Sequence, residues 1–177
     1  MIIRRERPDD TPQIRSVTAD AFRSAERSAP SAEPGGDPGE VALIERLRAD
    51  SGWMRELSLV AVDGDRVVGH VVGSRASVGD SPAVGLGPLS VSPDRQSSGV
   101  GSALMHAVLG AADALGESVV GLLGEPSYYS RFGFDPAASH GVQAPDKSWG
   151  EYFQVRTLTA YDGEVGLFSY ATPFDGV

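Results

Sequence analysis

The chain of 177 residues contains no cysteine, which excludes disulfides, thiolate metal sites and any covalent acyl-cysteine intermediate. Only three histidines occur, at positions 70, 106 and 140, and no His-x-His or His-x-x-x-His pair is formed, so no metal centre is expected. No stretch approaches the roughly 20 uninterrupted apolar residues that a membrane helix needs. The segment from Met1 to Arg7 reads as a basic strand rather than a signal sequence, and the cytoplasm is the expected location. Basic residues are also scarce, with 15 Lys and Arg against 24 Asp and Glu, a formal charge of −9. That balance disfavours the wide cationic surface that nucleic acids need, so nucleic acid is not an expected partner.

With 41% apolar residues, the chain is long enough for one full core and short for two, and residues 1–177 are read as a single domain. Ile2 and Ile3 start a strand. Asp10, Thr11 and Pro12 form a helix start, a short polar cap and then proline where no amide donor is required. Ser24 to Gly39, rich in Ala, Ser, Pro and Gly, reads as a mobile loop. A second helix start follows, with Asp37 as cap, Pro38 in the first helical position and Glu40 three residues after the cap. Leu57 to Val62 and Arg66 to Val72, separated by Asp63, Gly64 and Asp65, form a hairpin. Ala83 to Val91 is a further strand weakened by Gly85, Gly87 and Pro88. From Gly99 to Leu115, apolar positions 100, 104, 107, 108, 111 and 115 share one helical face, closed by Gly116. Val119 to Leu123, Gln154 to Thr159 and Val165 to Tyr170 are later strands, and Pro126 to Phe132 is a short helix or turn. The order describes an α/β layering with a mixed sheet.

The run Leu89-Ser90-Val91-Ser92-Pro93-Asp94-Arg95-Gln96-Ser97-Ser98-Gly99-Val100-Gly101-Ser102 feeds a strand into a helix through a turn of small residues. Free amides at the helix start, the helix dipole and the missing side chains at Gly99 and Gly101 together favour a phosphate there. A nucleotide P-loop would need a Gly-Lys pair, and a dinucleotide fingerprint would need glycine or alanine where Leu104 stands. A Gly-x-Ser-x-Gly elbow is absent as well.

Gln96, Gly99 and Gly101 fit the pyrophosphate loop of the GNAT superfamily, which the sequence resembles: Gln or Arg, two residues, Gly, one residue, then Gly or Ala. The hairpin and the run Tyr128-Tyr129-Ser130-Arg131-Phe132-Gly133-Phe134 follow that family's order, so the resemblance spans most of the chain. It implies a GNAT-like fold with splayed central strands flanked by helices, and an N-acetyltransferase with acetyl-CoA, or coenzyme A, as its cofactor substrate. It further implies that Leu89, Ser90 and Val91 pair with pantetheine, and that Gln96, Ser97, Ser98, Gly99, Val100, Gly101 and Ser102 hold the pyrophosphate. Homodimers are frequent among such proteins.

By the same resemblance, Tyr129 is the general acid that protonates the departing sulfur, although packing against Phe132 and Phe134 also accounts for it; Tyr128 packs or contacts substrate. With no cysteine, the acyl group is expected to pass directly to a small-molecule or peptide amine in a ternary complex. The strand Ala83 to Val91 departs from the family's commoner pattern because it carries no carboxylate base. Glu125 stands either as that base or as a cap before Pro126, and His70 either as a core histidine sharing a face with Val68 and Val72 or as a catalytic group. The missing carboxylate also fits a non-catalytic acyl-CoA-binding or regulatory module. Glu26, Glu33, Asp37, Trp149, Tyr152 and Phe153 are candidates to face the acceptor.

Overall fold

Helices flank a twisted mixed sheet on both faces in the computed structural model, which describes residues 1–23, 28–31 and 35–175. Its main path runs β1 (Ile2–Arg5), β2 (Trp53–Asp63), β3 (Arg66–Val78), β4 (Ser81–Val91), β5 (Val119–Leu123), β8 (Phe153–Thr157) and β6 (Asp135–Pro136). The two-residue β7 (Val142–Gln143) and β9 (Gly166–Ser169) pair with each other, and β9 also pairs with β3. Along the path all neighbours are antiparallel except β4 and β5.

That parallel pair positions the site. Its ladder holds only at Val84–Val120 and Gly85–Gly121, after which the strands part. Beyond that point β4 carries Gly87 and Pro88, joined by a cis peptide, and neither residue continues a regular ladder. The helix α3 (Val100–Ala114) covers one face through Val100, Leu104, Met105, Val108, Leu109 and Ala112, packed on Leu57, Leu59, Ala61, Val84 and Leu86. The opposite face is covered by α1 (Thr11–Phe22) and α2 (Gly39–Ala49), with Ile14, Val17, Leu43, Ile44 and Leu47 on Val60, Val62 and Val72. Leu115, expected on the buried face of α3, is 47% exposed because it ends the helix rather than lying within it.

The expected helix caps are replaced by stronger partners. Asp10 gives α1 no side-chain cap; its carboxylate instead takes a bidentate pair from Arg4 at 2.6 and 2.9 Å and the Arg7 amide at 2.7 Å. Helix α2 begins one residue later than expected, with Pro38 outside it, and Asp37 pairs with Arg15 at 2.9 Å. Buried Glu40 anchors the preceding chain by accepting the Ala29 amide at 2.6 Å and the Ser28 hydroxyl at 2.9 Å. Other parts of the expected Ser24 to Gly39 loop, with Glu26 and Glu33, lie outside the described residues.

His70 does not share a face with Val68. Ala61 opposes Gly69 while Val62 opposes Val67, so β3 carries an extra residue there, and this bulge turns Val68 toward α3 and Val72 toward α1 and α2. The fully buried His70 ring places Nε2 at 2.9 Å from the Ser58 hydroxyl and 3.2 Å from the Glu6 carboxylate, while Nδ1 has no partner among the described residues. Burial lowers the His70 pKa despite Glu6, so the ring is neutral and Nε2–H is the donor.

Candidate active site

The turn between β4 and α3 is held open by its own bonds. The Gln96 side-chain amide donates to Val91 O at 3.2 Å, and the Ser98 hydroxyl donates to Arg95 O at 2.5 Å. Ser97 at φ +58° and Gly99 at φ +90° take the left-handed backbone that turns successive amides to one side. The first amide of α3 with a backbone partner is Ala103 N–H, which donates to Gly99 O at 2.9 Å. Among the described residues the amides of Ser97 to Ser102 have no partner, which makes them a ready anion cradle.

Those amides border a cleft of about 670 Å³. Leu89, Val91, Gln96, Ser97, Gly99, Gly101 and Ser102 line it, joined by Ala21 and Phe22 of α1 and by Tyr128 and Arg131. Three of the sequence-predicted residues turn their side chains elsewhere. Ser90 is buried toward α1 and donates to the Thr18 hydroxyl at 3.1 Å, Ser98 is committed to Arg95, and Val100 is in the core. These three offer a ligand only their backbone.

Gly101 has a reason beyond backbone freedom, because the Tyr128 hydroxyl lies 2.8 Å from where a Cβ would stand. The cleft therefore depends on a side chain of the next motif, and Arg131 stacks over that same ring with its guanidinium carbon 4.8 Å from the centroid. Arg66 is paired with Asp94 at 2.8 Å and Arg95 with Asp63 at 2.6 Å. Arg131, among the described residues, has no carboxylate partner and is the cation that lines the cleft. Its charge inside an otherwise aromatic run was the available sequence signal.

Tyr129 belongs to α4 (Pro126–Tyr129), which a 3₁₀ turn prolongs to Phe132. Gly133 at φ +79° ends that turn, and Arg156 donates to the Phe132 carbonyl, which fixes the Gly-Phe step so that Phe134 enters the core. The Tyr129 ring packs edge-on to Tyr128 and Phe134 and rests on Gly124, where a Cβ would come within 2.2 Å of the ring. Its hydroxyl has no hydrogen-bond partner among the described residues. Burial and the neighbouring Tyr128 raise its pKa to about 12. Glu125 is exposed at the head of α4; it accepts the Ser127 hydroxyl at 3.3 Å, and its side chain makes no cap bond. The described residues contain no cluster of His, Cys, Asp or Glu able to hold a metal, and no helix among them is long and apolar enough to cross a membrane.

A parallel strand pair that opens beside an amide cradle at a helix start defines a class of site suited to a ligand with an anionic end and an extended arm. Comparison with known proteins narrows this class. The model of the acetyltransferase (GNAT) family matches residues 19–134. The uncharacterized N-acetyltransferase YhbS of Escherichia coli K12 is 33% identical over 180 residues, which cover 99% of each chain. Its crystal structure in complex with CoA superposes with a TM-score of 0.82 at 32% identity, covering 98% of this chain and 91% of that one. A GNAT acetyltransferase of Brucella melitensis in complex with acetyl-CoA gives 0.78 at 34% identity, covering 98% and 97%. The chain belongs to the GNAT family of acetyltransferases.

Proposed function

We propose that the protein transfers an acetyl group from acetyl-CoA directly to a primary amine within a ternary complex. The observation that carries this reading is the parting of β4 from β5 after Gly85–Gly121, beside the unpartnered amides of Ser97 to Ser102. In this reading the amides hold the pyrophosphate and Arg131 adds a charge. The pantetheine arm lies along Leu89 to Val91, and a β4 amide polarises the thioester carbonyl. The acetyl-CoA and CoA complexes of the two relatives support the choice of donor.

The amine nitrogen attacks the carbonyl carbon, the carbon–sulfur bond breaks, and the sulfur leaves with the Tyr129 proton, which the surplus proton on the new amide nitrogen replaces through solvent. A phenol near 12 keeps its proton throughout the physiological range, so it stands ready as the donor. The desolvation that raises the phenol raises the sulfur's proton affinity too, and the two remain matched. A lysine-like amine near 10.4 costs about 4.6 kcal/mol to deprotonate at pH 7. With no carboxylate on β4, Glu125 takes that proton through water at the solvent-facing end of β5.

Thiol release from acetyl-CoA over a broad amine panel, with wild type and Tyr129→Phe, tests the proposal. Intersecting double-reciprocal lines, and a kcat about 10²-fold lower in the variant at unchanged acetyl-CoA affinity, are expected. Parallel lines would exclude direct transfer, and full turnover by Tyr129→Phe would exclude the acid.

A further inference from the structure

The acetyl-transfer reading leaves unassigned the face of the sheet opposite the cofactor cleft, where Gly85 closes the β4–β5 ladder. On β4 and β5 the side chains of Val84, Leu86, Val120 and Leu122 point to the α3 face, so Gly85 and Gly121 open toward the other one. Aromatic rings of the C-terminal segment fill both openings. A Cβ on Gly121 would meet the Phe168 ring at 2.5 Å, and one on Gly85 would meet Tyr170 Cδ1 at 2.5 Å and Cε1 at 2.9 Å. Tyr170 therefore lies along the last rung of the ladder, at the apex of the gap. Tyr129, seated on Gly124 among the α3-face core, approaches the same gap from the cofactor side.

Two further observations mark this apex as a binding site rather than packing alone. The Tyr170 hydroxyl, like that of Tyr129, has no hydrogen-bond partner among the described residues. Ser74, directly across the ladder from Gly85, carries on that same face a hydroxyl that is buried and unpartnered. The Ser74 hydroxyl is sealed from water, and a buried hydroxyl beside the point where the strands part is costly unless a ligand satisfies it, while Tyr170 is half-buried. Around them stand Phe174, 4.5 Å from the Tyr170 ring centroid, Phe168 at 4.8 Å and Trp149 at 6.4 Å.

Resting on the acetyl-transfer reading, we propose that Tyr170 and Ser74 are the polar end of the acceptor pocket, binding the amine nitrogen from the face opposite the cofactor, and that the aromatic wall selects a primary amine on a slim arylalkyl arm. The neutral phenol and the serine hydroxyl accept N–H bonds, which aims the nitrogen lone pair through the gap at the thioester. Tyr129 serves the sulfur from the other side, so the two phenols divide the reaction between nucleophile and leaving group. Burial and then the nearby Tyr129 raise the Tyr170 pKa, so the phenol remains a neutral hydrogen-bonding group and takes no proton-transfer role.

The test is calorimetric binding of CoA and of a bisubstrate conjugate, in which the CoA sulfur is joined through an ethylene spacer to the nitrogen of 2-phenylethylamine, so that the nitrogen remains an amine able to donate to both hydroxyls. Wild type is expected to bind the conjugate at least tenfold more tightly than CoA. Tyr170→Phe and Ser74→Ala should each lose roughly fivefold of that gain, the worth of one net hydrogen bond, with CoA affinity unchanged. Ser74→Ala removes an unsatisfied group and should not lower thermal stability, which keeps the test readable if Tyr170→Phe folds poorly. A conjugate no tighter than CoA, or a gain retained by both variants, overturns the acceptor assignment alone. Failure of CoA itself to bind wild type overturns the cofactor reading and this inference with it.

Discussion

Replacing Glu6 with glutamine should remove an acid-sensitive support of the fold. The Glu6 carboxylate takes Arg48 Nε at 2.9 Å, the Ser58 hydroxyl at 2.6 Å and the neutral His70 Nε2–H at 3.2 Å, and its side chain is 13% exposed. Burial works to raise its pKa, but the hydrogen bonds from His70, Arg48 and Ser58 and the Arg48 charge prevail and hold it at about 2, against 4.5 unperturbed. At about 1.36 kcal/mol per pH unit this difference contributes about 3 kcal/mol. The folded-state pKa is the depressed one, so the contribution is fully present above pH 4.5 and is lost as pH falls through about 2. Urea unfolding of wild type and Glu6→Gln should therefore differ by about 3 kcal/mol at pH 7, and by about 2 kcal/mol at pH 3.5. Comparing the two proteins at each pH cancels the other depressed carboxylates, among them Asp10, Asp63 and Asp94. A difference that stays constant from pH 7 to pH 3 would refute the ionic account of Glu6.

Two further outcomes probe the cleft. Gly101→Val places its Cβ at 2.8 Å from the Tyr128 hydroxyl and narrows the amide cradle, so acetyl-CoA binding should fall at least 30-fold by calorimetry while far-UV circular dichroism is unchanged. Arg131→Gln should weaken acetyl-CoA binding roughly tenfold and reduce its salt dependence, since in the proposed reading Arg131 makes a charge-assisted contact to phosphate.

Local signals carried much of the architecture. The period of α3, the hairpin and the later strands are set by neighbours a few residues away, so pattern and turn chemistry sufficed. Gly87 and Pro88 announced the weakened ladder of β4 for the same reason, since each acts on its own backbone. Distant partners were illegible. Asp10 and Asp37 have the residue type of helix caps, but guanidinium groups on other elements, Arg4 and Arg15, take them. The bulge at Val68 requires knowing how β2 pairs with β3, and one inserted residue moved Val68 to the α3 face while His70 kept the face of Val72. Within the site, the Gln-x-x-Gly-x-Gly spacing named the cradle directly, because amides supplied by a turn are a local property. Tyr170 left no such trace: its meaning comes from Gly85, to which only the tertiary fold joins it.

The opened strand pair also accounts for a conflict between sequence and sheet. Beyond Gly85, β4 turns to β5 an edge on which the ladder has ended, in the middle of a sheet rather than at its margin. Backbone groups buried in this way are costly unless paired. A pantetheine arm carries amides of its own and can lie along the strand as an added peptide would, and in the proposed reading it supplies the missing partners. In that reading glycine and proline in a central strand cease to be defects: they release β4 from β5 where the proposed cofactor arm takes its place. The aromatic rings on Gly85, Gly121 and Gly124 brace the two strands at the start of the gap and at its far arm. Those glycines hold the opening at a fixed width, since any side chain there would drive the rings away and let the strands move.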